Sequence, residues 1–357
     1  MALGGFRDRG VDCAAAAPSF FRSHATASGH ATMASRFARP IAIAVVLTAL
    51  GAIGASGASG VMAEEPAVPV AAAASFSGAR AMANLEAIVA IGPRVSGSEG
   101  MRKQREMVVD HFRAAGATVT PQRFQIRDRK SGKGVAMENI VIGWHPDRQE
   151  RILLGAHYDT RPFPDRDPDD PRGVFVGAND GASGVALLME LAGAMPGLEG
   201  PVGIDFVLFD GEEYVFGPRD PYFLGSTHFA RQHAAGRKAG ETNWSYRAGL
   251  VLDMVADADL AIFQESKSVS WPDTRPVVDE VWDVARRMGV RQFIPRPGYE
   301  VEDDHVPLRN LGKIPTADII DFNYPAWHTT RDTAAACSGE SLEAVGSVVL
   351  QWLREQR

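Results

Sequence analysis

From residue 151 to the C-terminus, short unbroken apolar runs alternate with stretches whose apolar residues fall three or four apart. The runs "RILLGAH" (151–157), "VGIDFVLF" (202–209), "AGLVLDMV" (248–255) and "KIPTADIID" (313–321) have the length of strands. The stretches 183–195, 226–235, 275–289 and 341–356 keep a period near 3.6 and predict helices. Apolar strands separated by helices imply a largely parallel sheet covered on both faces. Upstream, 76–115 carries two further helical patterns. One is marked by Met82, Leu85, Ile88 and Val89, the other by Met107, Val108 and Phe112 before Gly116. Then "TVTPQRFQI" (118–126) and "AMENIVIGW" (136–144), joined by the polar "RDRKSGKG", predict a hairpin. The expected fold is one α/β domain over 76–357. It has three layers, α/β/α, with a mostly parallel twisted central sheet and an antiparallel edge hairpin.

The first 75 residues break this pattern. In 33–66, Arg36 and Arg39 precede an apolar stretch from Ile41, a small-residue tract, and "VMA" before Glu64. That is the anatomy of a signal peptide, with Met33 the natural start and 1–32 an over-long start. An uncleaved membrane anchor is the alternative; the Gly, Ala and Ser content of the run favours cleavage. Export to the periplasm or beyond is expected either way, with 66–75 as a linker. The composition, 45% hydrophobic and 23% charged, is that of an ordinary globular chain. A net charge of −7 gives no basic footprint for nucleic acid. The two cysteines, Cys13 and Cys337, form neither a disulfide framework nor a thiolate zinc motif.

One stretch conflicts with its surroundings. "FDGEE" (209–213) puts three carboxylates at the end of an apolar strand. Two adjacent ionised carboxylates ~5 Å apart repel by about 3 kcal/mol at an effective dielectric of ~20. Solvent, a proton, a helix N-terminus or a cation must offset this. Open α/β sheets gather their ligands beyond the C-terminal ends of the strands. His157 and Asp159 follow the first parallel strand, Asp180 precedes a helix in "GANDGASG", and Glu212 and Glu213 follow the second strand. Asp253 and His328 follow the third and fourth. Each alone has a plainer reading: a polar loop residue, a helix cap, a turn, a solvated helix start. Together they bring imidazoles and carboxylates to one rim, and that is a donor set for zinc. Asp159 is placed to accept a hydrogen bond from His157 and fix its tautomer. The proline-rich acidic segment 162–171 reads as a solvated loop over the site, with a structural cation as the lesser alternative.

The ordered motifs "GAHYDT", "GANDGASGVALLMELA", "FDGEE", "LVLDMV" and "WHTTRDT" resemble the zinc-dependent exopeptidases of the aminopeptidase type. The segments "RPFPDRDPDDPRGVFVGANDGASG" (161–184), "EDDHVPL" (302–308) and "YPAWH" (324–328) resemble, within that superfamily, the glutaminyl cyclases. The likeness runs over about residues 80–356. It implies that Asp180, Glu213 and His328 hold one Zn2+ and that Glu212 is the general acid/base. Asp253 and Asp303 would form a carboxylate network beside it, and Trp327 and Tyr324 would wall the substrate pocket. At Asp318 the animal cyclases carry a histidine, so that position is given no role. His157 and Asp253 match positions that hold a second zinc in the aminopeptidases.

The resemblance therefore implies two chemistries. In a cyclase, one zinc polarises the side-chain amide of an N-terminal glutamine, and Glu212 passes a proton from the attacking α-amine to the departing ammonia. In an aminopeptidase, two zincs bridged by Asp180 activate a water that Glu212 deprotonates. Peptide or protein N-termini are the substrates in both. The membrane is involved only if the leader stays uncleaved. A non-catalytic binding domain on the same fold is the third reading, but such a descendant should have lost a ligand or the base, and none is missing.

Overall fold

The computed structural model describes residues 75–356. The signal peptide expected over 33–66 and nearly all of the linker lie outside the described residues. Among the described residues no helix is long and apolar enough to cross a membrane.

Helices α1 (Gly78–Val89) and α2 (Glu99–Ala114) open the fold, each capped by a serine whose hydroxyl accepts from the first turn. Strands β1 (Thr118–Arg127) and β2 (Gly134–Trp144) form the expected antiparallel hairpin. There follow β3 (Glu150–His157), α3 (Ser183–Ala192), β4 (Val202–Phe209), α4 (Leu224–Ala239) and β5 (Ser245–Asp253). The chain then passes through β6 (Ile262–Gln264), α5 (Ser266–Ser270), α6 (Arg275–Met288), β7 (Phe293–Pro297) and α7 (His305–Asn310). It closes with β8 (Thr316–Ile320) and α8 (Gly339–Arg354). The main sheet runs β1-β2-β4-β3-β5-β8. β4, β3, β5 and β8 are parallel, and β2 joins β4 antiparallel, so the hairpin occupies one edge.

The strands lack polar alternation because both faces are covered. Ile152, Leu154, Phe206, Leu208, Leu250 and Leu252 enter the core shared with α1, α3, α6 and α8. Their neighbours Leu153, Val207 and Val251 point the other way, against Phe229 and Ala230 of α4 and Leu308 of α7. Asp205, the charged residue of β4, is buried and accepts two hydrogen bonds from Arg151 at 2.6 Å and one from Tyr246 at 2.8 Å. It is a satisfied buried pair, remote from the rim.

Four short elements, β6, α5, β7 and α7, escaped the sequence reading. β6 and β7 form a separate parallel pair of three and five residues. Runs this short, one of them "FIPRP", are below the length at which periodicity is visible.

Helix α3 is buried almost all round and lies on β5 through Gly184. A Cβ at Gly184 would stand 2.2 Å from the Leu252 carbonyl oxygen, so the helix could not keep its place. Gly184→Ala is expected to destabilise by about 1–3 kcal/mol, read as a lowered urea midpoint. Asp180, four residues upstream, should move with the helix.

Candidate metal centre

Because β3, β4, β5 and β8 are parallel, their C-terminal ends share one rim. His157 is the last residue of β3 and Asp253 the last of β5. Glu212 and Glu213 follow β4 after a turn at Gly211, whose φ of 76° suits glycine. Asp180 precedes α3, and His328 lies between β8 and α8. The ligands expected from the sequence meet as two triads that share Asp180. In the first, His328 Nε2 lies 2.8 Å from Glu213 Oε1 and 3.5 Å from Asp180 Oδ2. In the second, His157 Nε2 lies 3.3 Å from Asp180 Oδ1 and 3.2 Å from Asp253 Oδ1. In each triad the potential ligand atoms lie within 4.8 Å of one another.

One nitrogen and two carboxylate oxygens at this spacing suit zinc. Asp180 Oδ2 and Glu213 Oε2 are buried and accept no hydrogen bond among the described residues. A buried carboxylate oxygen without a donor is costly unless a proton or a cation sits against it. Glu213 belongs to the Asp180–Glu213–His328 triad alone, whereas Asp180 is common to both. In the other triad, His157 Nε2 and Asp253 Oδ1 share a 3.2 Å hydrogen bond, while the buried His157 Nδ1 has no partner among the described residues.

Glu212 belongs to neither triad. It is buried, and burial together with the adjacent Glu213 charge raises its pKa well above the carboxylate range. Burial opposes ionisation of Glu213 too, but the His328 and Arg161 charges outweigh it and pull that carboxyl down. Two neighbouring carboxylates are thus pushed apart in acidity, as a ligand and a proton carrier require. Asp303 is buried nearby, its pKa raised by burial and by Asp253.

Asp159 does something other than the sequence suggested. Its Oδ1 is 3.7 Å from His157 Nδ1, too far for a hydrogen bond. Its two oxygens instead accept the backbone N–H groups of Glu212 at 3.0 Å and Glu213 at 3.1 Å. One fully buried carboxylate therefore fixes the turn that aims both glutamates. Asp159→Asn presents an NH2 to one of those N–H groups. It is expected to lower turnover about 10–100-fold, the range for loss of a partner behind a metal ligand, with the far-UV CD spectrum unchanged.

The site opens into a cavity of about 530 Å³, lined on its apolar side by Phe223, Val301, Ile320, Phe322 and Trp327. Trp327 is thus where the resemblance placed it. Tyr324 is not: it is buried behind the wall, and its hydroxyl donates to Asp332 at 2.8 Å. Asp332 in turn accepts the backbone N–H groups of Asn179 and Asp180, so Tyr324 supports the Asp180 backbone.

Most of the segment 162–171 is solvent-exposed, as expected of a solvated loop, but one carboxylate turns inward. Asp167 is buried, and its Oδ2 accepts from Thr330 N at 2.8 Å. Its Oδ1 accepts the N–H groups of Asp169 and Asp170, so no orphaned oxygen there calls for a cation. Arg161, also buried, holds Asp165 through two hydrogen bonds and reaches Glu213 Oε1 at 3.0 Å. Behind Asp303, Asp318 and His305 are fully buried, and His305 Nε2 lies 3.3 Å from Glu265. Sequence reading gave these groups no role. Burial depends on tertiary contacts that carry no period, although the departure at Asp318 had marked one of them.

The sequence profile of peptidase family M28 matches residues 139–353. The mouse glutaminyl-peptide cyclotransferase-like protein is 27% identical over 241 residues, which cover 61% of this chain and 60% of that protein. The chain thus spans less than two thirds of that relative's length. The crystal structure of Fimbriiglobus ruber glutaminyl cyclase is 38% identical, with a TM-score of 0.76, and covers 82% of this chain and 100% of that one. A leucine aminopeptidase precursor from Bacteroides thetaiotaomicron is 29% identical with a TM-score of 0.73, covering 81% of this chain and 100% of that one.

Proposed function

This chain belongs to peptidase family M28, and from that premise we propose that it is a zinc-dependent glutaminyl-peptide cyclotransferase. The observation that carries the proposal is Glu212. It is buried, outside both triads and high in pKa, beside a triad that suits one zinc ion, in a pocket walled by Trp327. When bound, zinc supplies Lewis acidity toward the side-chain carbonyl of an N-terminal glutamine. Asp180, Glu213 and His328 would hold it. Glu212 takes the proton from the α-amine as that nitrogen bonds to the side-chain carbonyl carbon. It returns the proton to the amide nitrogen as the old C–N bond breaks and ammonia leaves. Asp303 acts on Glu212 as a nearby charge, no hydrogen bond joins Glu212, Asp253 and Asp303 among the described residues, and Trp327 would pack against the substrate. The product is a pyroglutamyl N-terminus.

Glu213 Oε2, the orphaned oxygen that belongs to the first triad alone, favours one zinc. The second reading is a two-zinc aminopeptidase; the approach of His157 and Asp253 to Asp180 favours it. Purified protein should release ammonia from Gln-peptides, leave the peptide bond intact, and hold about one zinc per chain. Release of Leu- or Ala-anilide without pyroglutamate, at two zincs per chain, would overturn the cyclase reading. The leader pattern supports export, and N-terminal sequencing of the mature protein would locate the cleavage.

A further inference from the structure

We infer that Asp165 and Asp167 are positioning residues for His328, forming with the Arg166 backbone N–H a clamp on this metal ligand. The inference rests on the zinc reading above but not on the choice between cyclase and aminopeptidase. His328 belongs to no helix or strand, and its φ of 55° is left-handed, a conformation a residue with a Cβ adopts only when its surroundings impose it. Three consecutive loop residues supply those surroundings. Asp165 Oδ1 stands 3.1 Å from His328 Nδ1, on the side of the ring away from the ligand nitrogen Nε2. The Arg166 backbone N–H donates to the His328 carbonyl at 3.1 Å. Asp167 Oδ2 accepts from both the N–H and the hydroxyl of Thr330, two residues further on.

The clamp is itself anchored. Arg161 grips Asp165 at 2.7 and 3.0 Å and extends its remaining arm to Glu213 Oε1. Asp165, Arg161, Glu213 and His328 therefore close a ring of polar contacts around two ligands of one triad. A carboxylate behind a ligating imidazole holds the ring's orientation and raises its basicity. Without Asp165 the buried imidazole would lose the carboxylate beside Nδ1, and without Asp167 the left-handed backbone would lose its tether.

The test measures zinc affinity by chelator competition, together with the visible absorption of the Co2+-substituted protein, for D165N, D165E, D167N and D169N. The Asp169 side chain makes no hydrogen bond or ion pair with the described residues, which makes D169N the control. D165N is expected to bind zinc 10–100-fold more weakly and to show an altered Co2+ spectrum. Turnover should recover at saturating zinc, and D165E should regain part of the affinity. D167N should weaken binding in the same direction, and D169N should match the wild type. Wild-type affinity and spectrum in both D165N and D167N would overturn the inference. If D165N does not fold, D167N decides. These readouts need no substrate, so a failure of the cyclase assay leaves them standing.

Discussion

Glu212→Gln is expected to reduce turnover by roughly a thousandfold while the protein keeps its zinc. Glutamine matches glutamate in shape but cannot accept a proton at neutral pH. Glu212 stands outside both triads, so the metal should stay. The turn that presents it should stay as well, because Asp159 holds the backbone rather than the side chain. The pH profile gives a second check. A base must be deprotonated to work, so wild-type activity should fall as pH drops through the Glu212 pKa. That pKa is raised by burial first and by Glu213 second, so the fall should begin above the usual carboxylate range. A bound cation shifts the fall toward lower pH. Ammonia release per zinc, with zinc measured on the same sample, is the relevant quantity. A variant that retains full activity would remove Glu212 from the mechanism. One that loses zinc as well would make it a ligand.

The second large effect is expected at Asp180, the residue common to both triads. Asp180→Ala should abolish activity and tight zinc binding whichever chemistry operates. His157→Gln separates the two. It should spare zinc content in a one-metal enzyme and remove one of two equivalents in a two-metal enzyme. Stability supplies an independent readout. Burial and the Glu213 charge both raise the Asp180 pKa, so the carboxylate is held there against repulsion. Removing it should leave the zinc-free protein at least as stable as the zinc-free wild type. The difference should appear on adding metal. A ligand at a hundred times its Kd stabilises the wild type by about 2.7 kcal/mol, and the variant should gain almost none of it. Melting curves with and without zinc measure this directly.

The legible parts of the fold were those governed by a long period. The four parallel strands, the hairpin and the long helices follow from runs that both faces of a sheet bury. The third strand ends at Asp253 rather than continuing to 255, because Met254 turns into a left-handed conformation that no hydrophobic pattern signals. The ligands were legible for a related reason. Parallel strands deliver their C-terminal residues to one rim, so His157, Asp180, Glu213, Asp253 and His328 could be gathered from strand ends alone. What stayed hidden depends on side-chain direction. Tyr324 is four residues from His328, but its ring points behind the pocket wall toward Asp332. Asp167 stands among prolines and acidic residues in a segment that reads as solvent-facing, yet folds inward onto Thr330. Glu265, His305 and Asp318 meet only when three separate elements pack, and no spacing along the chain encodes that meeting.

The carboxylate of Asp159 bears on how inactive descendants of such a chain should be recognised. A checklist of ligands and base is the usual sign that an enzyme has kept its chemistry. Asp159 hydrogen-bonds to no ligating side-chain atom, its nearest being His157 Nδ1 at 3.7 Å, so that checklist omits it. Yet it holds the two backbone N–H groups that set the directions of Glu212 and Glu213. A lineage could therefore keep both triads and the general base intact and fall silent through one substitution at this buried position.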